Sequence, residues 1–216
     1  MELTTSLKYL SGVGPAIAKR LERLELFTVE DLINHYPFRY DDFSKISKIS
    51  EAKFGDTVTF KGDVWAIKNT YTRFRRVLTK ATLNDGSGSI ELVWFNQPWL
   101  IKNLKVGDKI QVSAKVDRSG SKLTLVSPEW EKVTPTPEVE DFKPRELGLH
   151  TGRLVPIYPE TYGINSKWLR IKIAAVLPHA LPQIEDPIPD FIQQNLLPLS
   201  KAIEQIHFPQ KFDQSK

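Results

Sequence analysis

The sequence predicts an α+β chain weighted towards β: a small five-stranded barrel, a helical region before it, and an extended wrap with short helices after it. Three observations predict this. Between residues 57 and 126, five runs show the apolar alternation of strands with one buried and one wet face. Two connections, Asn84-Asp85-Gly86-Ser87-Gly88-Ser89 and Ser119-Gly120-Ser121, consist of residues that tolerate the positive φ of a hairpin turn. At both ends of the chain apolar residues recur at helical spacing, punctuated by glycine and proline. The resulting division is a helical region over 1–50, a barrel over 51–132, and a wrap with a helical linker over 133–216.

Ser6 to Leu24 reads as two helices joined at Gly12-Val13-Gly14, with Pro15 at a first helical position and Ile17, Leu21 and Leu24 at spacing i, i+4, i+7. This matches a helix-hairpin-helix pattern. Gly12, Gly14 and the following residues would turn backbone N–H groups outward at a helix start, which attracts phosphate, with Lys19 and Arg20 one turn further on. A tight helix-helix turn with no ligand is the alternative. Thr28 and Asp31 stand in capping-box spacing before a short helix that ends at His35-Tyr36-Pro37. Asp41-Asp42 has no partners at metal-ligand spacing and reads as a solvated acidic pair.

The strands follow as Thr57–Ile67, with Gly62 a bulge or bend, then Arg73–Asn84 and Ser89–Phe95. Lys68 to Thr72 reads as a polar loop. Asn96-Gln97-Pro98-Trp99 then turns out of the sheet into a helix over Leu100–Leu104, and Lys109–Arg118 and Lys122–Val126 complete the set. Three strands, a short helix and two strands is the order of an OB-fold, whose strands 2–3 and flanking loops commonly bind oligonucleotides. From Ser127 the chain is proline-rich and extended to Tyr158, without the pattern of an independent core, so it is expected to wrap back over the barrel. A short strand over Arg153–Pro159 and helices over Ser166–Leu177, Asp190–Leu196 and Leu199–Ile206 follow. The chain stops in polar residues after His207-Phe208-Pro209 and is expected to continue into something further.

Charge singles out the middle of the chain. Residues 61–132 hold 13 Lys/Arg against 7 Asp/Glu, whereas 1–60 hold 8 against 9 and 133–216 hold 9 against 10. All of the net +4 therefore lies in the barrel region, the pattern of a polyanion-binding face. Basic residues beside the displayed aromatics Phe95 and Trp99 suit a nucleic-acid strand, since cations hold phosphates and flat rings take bases. Packing at the barrel end is the alternative for both rings. Trp65 and Trp94 read as structural or partly exposed.

Other chemistries are poorly supplied. No G-x-x-x-x-G-K-[ST] loop is present, and Gly86-Ser87-Gly88 lies between two strands with no lysine after it. The four histidines are widely spaced and cysteine is absent, so neither a catalytic triad nor a metal site is expected. No apolar run approaches a membrane span and no signal-peptide pattern begins at Met1, so a cytoplasmic location is expected.

Five motifs, LSGVGPAIAKRLERL, HYPFRY, LNDGSGSIELVWFNQPWL, RLVPIYP and AIEQIHFP, occur in the order found in the RecG family of bacterial branched-DNA helicases, and the chain resembles the N-terminal wedge region of such an enzyme from Ser6 to about Phe212. The resemblance implies an OB-fold wedge that splits the arms of replication forks and Holliday junctions in recombination and repair, while motor domains supply the work. It implies that Phe95 and Trp99 stack at the junction. The family more often has tyrosine at the second place, and some members carry an N-terminal helical extension not found here. It implies, more loosely, that Arg73, Arg75, Arg76 and Lys80 border the separated strands. Branched and single-stranded DNA, and single-stranded-DNA-binding protein, are the implied partners of a monomeric, nucleoid-associated protein. ATP and magnesium are implied only for the motors; no cofactor and no enzymatic activity are expected of this chain alone. A stand-alone RNA-binding OB-fold and an OB-fold protein-interaction module are the competing readings.

Overall fold

The computed structural model describes residues 1–72, 76–133, 148–189 and 196–209. Contacts divide the chain into two compact units, Met1–Asp41 with Leu154–Lys216, and Asp42–Arg153. The residues from Leu154 onward thus share a unit with the N-terminal helices, and those from 127 to Arg153 belong with the barrel.

In the first unit, a 3-10 turn over Leu7–Tyr9 precedes helix α1, Pro15–Leu21, and helix α2, Val29–Ile33. The first of the two expected helices is only this turn. Ser6 is held extended by a bridge to Thr28, and Gly12, at φ +75, reverses the chain before α1. The capping box is formed: Thr28 Oγ1 accepts from Asp31 N at 3.2 Å and Asp31 Oδ2 accepts from Thr28 N at 2.8 Å. Strand β1, Arg39–Asp42, which the sequence pattern does not announce, pairs with a strand at Leu154–Ile157. Helix α4, Ser166–Ala180, is capped by Asn165 and buries Leu169, Ile173, Val176 and Leu177. Helix α5, Leu199–His207, brings His207 into the core. The expected helix at Asp190–Leu196 falls almost wholly outside the described residues, as does the acidic run Glu138–Asp141.

Three of the motifs meet in this core. His207 Nε2–H donates to Ile33 O at 2.7 Å, which leaves Nδ1 to accept from Tyr158 O–H, also at 2.7 Å. The His35 and Tyr158 rings stack with centroids 6.0 Å apart, and Tyr36 lies 6.2 Å from His207. Burial pushes the His207 imidazole down to about 4; the Ile33 hydrogen bond opposes this and the neighbouring His35 adds to it.

The second unit is the barrel. Its strands are β2 (Thr57–Tyr71), β3 (Val77–Asn84), β4 (Ser89–Phe95), β5 (Lys109–Ser119), β6 (Lys122–Val126) and β7 (Glu129–Lys132), with helix α3 (Leu100–Asn103) between β4 and β5. The barrel closes because β2 serves two partners, β5 over Thr57–Asp63 and β3 over Asp63–Tyr71. Gly62 stands at the changeover. A Cβ there would overlap the Asn84 carbonyl oxygen, so the backbone approach demands glycine. The irregularity in register falls between Val64 and Ala66, and places Trp65, not Gly62, on the bulge. Strand β6 runs parallel to β4 and antiparallel to β5, and β7 adds an unforeseen strand along Ile110–Ser113 of β5, on the edge opposite β2. Strand β8 is the Leu154–Ile157 strand paired with β1. Inside, Val58, Phe60, Leu83, Leu92, Trp94, Ile110, Val112 and Leu125 are buried.

Candidate nucleic-acid interface

Strand alternation sets the interface. Along β4, Ile90, Leu92 and Trp94 point inward, and Trp94 donates its indole N–H to Pro128 O at 3.0 Å, so this ring is core. Phe95, one residue on, is on the other face and 49% exposed. Asn96 then takes φ +54, a left-handed conformation asparagine tolerates, and turns the chain out of the sheet. Trp99 follows at 52% exposure, just before α3. Both rings are thus on the surface, which removes the barrel-end packing alternative.

The turn that carries Trp99 is tied down at four places. Asn96 N donates to Val77 O at 2.8 Å, and Leu100 N to Gln97 O at 3.1 Å. The buried Thr79 hydroxyl is shared between Gln97 O, at 2.9 Å, and Asn69 Oδ1, at 2.8 Å. Asn69 Nδ2 in turn donates to Pro98 O at 3.2 Å. Sequence reasoning missed Asn69 and Thr79. Asn69 lay in an expected loop that is in fact strand: Lys68 to Tyr71 pair with Val77 to Lys80. The one available signal was Thr79, a polar residue in step with the inward positions Ala81 and Leu83.

Register places the outer-face residues in rows. Leu78 faces Phe95 across β3–β4 and Thr70 across β2–β3; Lys80 faces Val93 and Lys68 in the same way. Lys80 is not a free cation, since its ammonium lies 3.2 Å from the Glu91 carboxylate. Lys68 and Arg76 are exposed. Arg76 closes the β2–β3 hairpin, with its N–H donating to Thr72 Oγ1 at 3.1 Å and its carbonyl accepting from Thr72 N at 2.9 Å. Arg73 and Arg75 lie outside the described residues.

Gly12, Gly14 and Lys19 belong to the first unit and are all exposed. Gly14, at φ −81, is the extended residue preceding the seven-residue α1 and needs no glycine conformation. The Lys172 ammonium donates to Ser11 O and sits against Gly12, so a protein cation stands where a phosphate was expected. Asp41 is ion-paired to Arg39 at 3.0 Å, and Asp42 accepts from Ser44; among the described residues no group of three His, Asp or Glu could hold a metal ion. No described helix is long and apolar enough to cross a membrane.

A closed barrel in which two sheet partners share one strand, with a helix between its third and fourth strands, defines an OB-fold protein. The family model for the RecG wedge domain matches residues 6–179, and the chain belongs to that family. The ATP-dependent DNA helicase RecG of Thermotoga maritima is 30% identical over 216 residues, covering 98% of this chain and 26% of that protein. The RecG helicase of Synechocystis is 31% identical, covering 97% and 26%, and that of Escherichia coli K12 is 29% identical, covering 94% and 28%. The structure of RecG bound to a three-way DNA junction superposes with a TM-score of 0.73 at 27% identity, over 98% of this chain and 28% of that one. The chain therefore spans about a quarter of the length of these relatives.

Proposed function

We propose that this chain is the branched-DNA-binding wedge of an ATP-dependent helicase, and that Phe95 and Trp99 stack on bases exposed where the arms of a fork separate. The observation that carries this is the pair of exposed rings on a turn braced by Thr79 and Asn69, in a chain similar to a RecG solved bound to a three-way DNA junction. Arg76 and Lys68, with Arg73 and Arg75, supply the phosphate contacts. Lys80 contributes less, because Glu91 already neutralises it.

The magnitudes suit a splitter that relies on a motor. Stacking on an aromatic ring is worth roughly 1–3 kcal/mol per base. Opening an average DNA step costs about 1.4 kcal/mol. Two capped bases therefore offset one to a few steps, enough to hold a fork open and too little to unwind processively. ATP hydrolysis, recombination and repair roles, a bacterial cytoplasmic setting and contact with single-stranded-DNA-binding protein belong to the full-length helicase in this proposal. No step runs through ATP here, since the sequence has no phosphate-cradling loop.

The test is the affinity of the chain for a three-way fork, matched duplex, single-stranded DNA and an RNA competitor at two salt concentrations. Fork preference that RNA does not displace supports the proposal. Displacement by RNA favours the RNA-binding reading, and absence of any nucleic-acid binding favours the protein-interaction reading.

A further inference from the structure

The helical unit carries a second aromatic and basic surface that the barrel proposal does not use. Thr161 and Ile164 exchange backbone hydrogen bonds of 3.2 and 2.9 Å, closing a tight turn with Tyr162 and Gly163 at its centre. Gly163 takes φ +79, a conformation that favours glycine, and the Arg20 guanidinium lies against it. Tyr162 is thereby held on a rigid turn, yet it is 83% exposed. Arg20, from α1, lies with its guanidinium carbon 5.8 Å from the Tyr162 ring centroid. On α4, Lys172 lies 5.4 Å from the Trp168 ring centroid while donating to Ser11 O.

The charges here are uncompensated. Glu160 accepts from Ser166 N at 2.6 Å, and Glu22 pairs with Lys8 at 3.7 Å. Among the described residues, no carboxylate lies within ion-pair distance of Lys19, Arg20 or Lys172. A fixed, solvent-facing ring with unneutralised cations fits a strand that offers flat apolar surface and negative charge together. Duplex DNA keeps its bases paired and stacked inside the helix, whereas an unpaired strand is free to turn a base onto a protein ring.

We infer that Tyr162, Arg20, Lys19 and Lys172 form a second site for an unpaired nucleic-acid strand, a base stacking on Tyr162 and phosphates meeting the three cations. This rests on the nucleic-acid reading of the chain but not on the roles of Phe95 and Trp99.

The experiment measures binding of a fluorescein-labelled thymidine oligonucleotide to the full chain by anisotropy. Tyr162→Ala, Tyr162→Phe and Arg20→Gln are made in the native chain and in a Phe95→Ala/Trp99→Ala background. Tyr162→Ala is expected to lose roughly tenfold in affinity in both backgrounds, the loss of one base stack. Tyr162→Phe should bind as the native chain does, and Arg20→Gln should weaken binding and flatten its salt dependence. Unchanged affinity in Tyr162→Ala, with a loss in Phe95→Ala/Trp99→Ala, overturns this inference and leaves the barrel proposal standing. Loss in Tyr162→Ala alone supports it, and leaves the barrel stack to the fork comparison. An equal loss in Tyr162→Phe overturns it, because the ring would then not be the contact. No oligonucleotide binding by the native chain overturns this inference, and the fork comparison then decides the barrel proposal by itself.

Discussion

The buried hydroxyl of Thr79 lies 2.9 Å from the carbonyl oxygen of Gln97, so the strand that lines the barrel core also fixes the turn that presents Trp99. Asn69, 2.8 Å from the same hydroxyl, extends the brace to Pro98. Display of the aromatic turn is thus a property of the core and not of a free loop.

Replacing that hydroxyl should be felt at a distance. Thr79→Val keeps the shape but strands the Gln97 carbonyl and the Asn69 side chain, at a cost of about 1–3 kcal/mol. Urea denaturation should read this loss, and acrylamide quenching of Trp99, in a chain where it is the sole tryptophan, should rise. Unchanged stability and quenching would mean the turn holds itself.

The two outer-face cations of β3 and its hairpin should behave differently. Arg76→Ala should lower the slope of log affinity against log salt by about 0.7–0.9, the release of one phosphate's counterions. Lys80→Ala should leave the slope nearly unchanged, because Glu91 already holds that ammonium. A larger effect at Lys80 would show that DNA displaces Glu91 from the pair.

Acid should loosen the helical unit through His207. Its folded value, about 4, lies below the unfolded 6.5, so the unfolded chain binds the extra proton first. Its contribution is therefore complete above pH 6.5 and falls between 6.5 and 4, by on the order of 3 kcal/mol. His207→Gln should abolish that part of the pH dependence in thermal melts. The carboxylates of Asp31 and Asp85 titrate lower. Burial acts to raise both, but hydrogen bonds to Asp31 from Phe27 and Thr28, and to Asp85 from Ile49, Ser87 and Gly88, outweigh it and hold both below 3.8. Their stabilisation is lost only as pH falls through those depressed values.

Gly62→Ala should destabilise the barrel by about 1–3 kcal/mol, since the added methyl meets the Asn84 carbonyl where β2 changes partner. Gly86→Ala, at an open turn with φ +84, should cost its backbone strain alone. Equal stability of Gly62→Ala and the native chain in urea would show that the strands shift to make room.

The barrel was legible because its strands alternate around a single buried face and its hairpin turns are written in Asn, Asp, Ser and Gly. What escaped has physical causes. Lys68-Asn69-Thr70 looked like a loop because beyond Ile67 strand β2 runs past the packed core, and its pairing with β3 needs no apolar residues. Strand β7 is a four-residue addition whose side chains are all partly exposed or exposed, so it shows no clear alternation. The helix expected to end at Leu177 continues through Pro178 to Ala180, although Pro178 has no N–H for the preceding turn. The joining of 154–216 to 1–41 rests on contacts such as His207 with Ile33, 174 residues apart, which no local pattern encodes. At the interface, Phe95 and Trp99 were legible as a displayed pair. The salt bridge that engages Lys80 was not, because Glu91 lies on a different strand.

The most direct test of the wedge is a comparison of the native chain with Phe95→Ala/Trp99→Ala on a three-way fork and its matched duplex under identical salt. The account predicts that the variant loses fork affinity by a larger factor than duplex affinity, since only the fork offers bases to stack. Equal losses on the two substrates, or none on either, would contradict it.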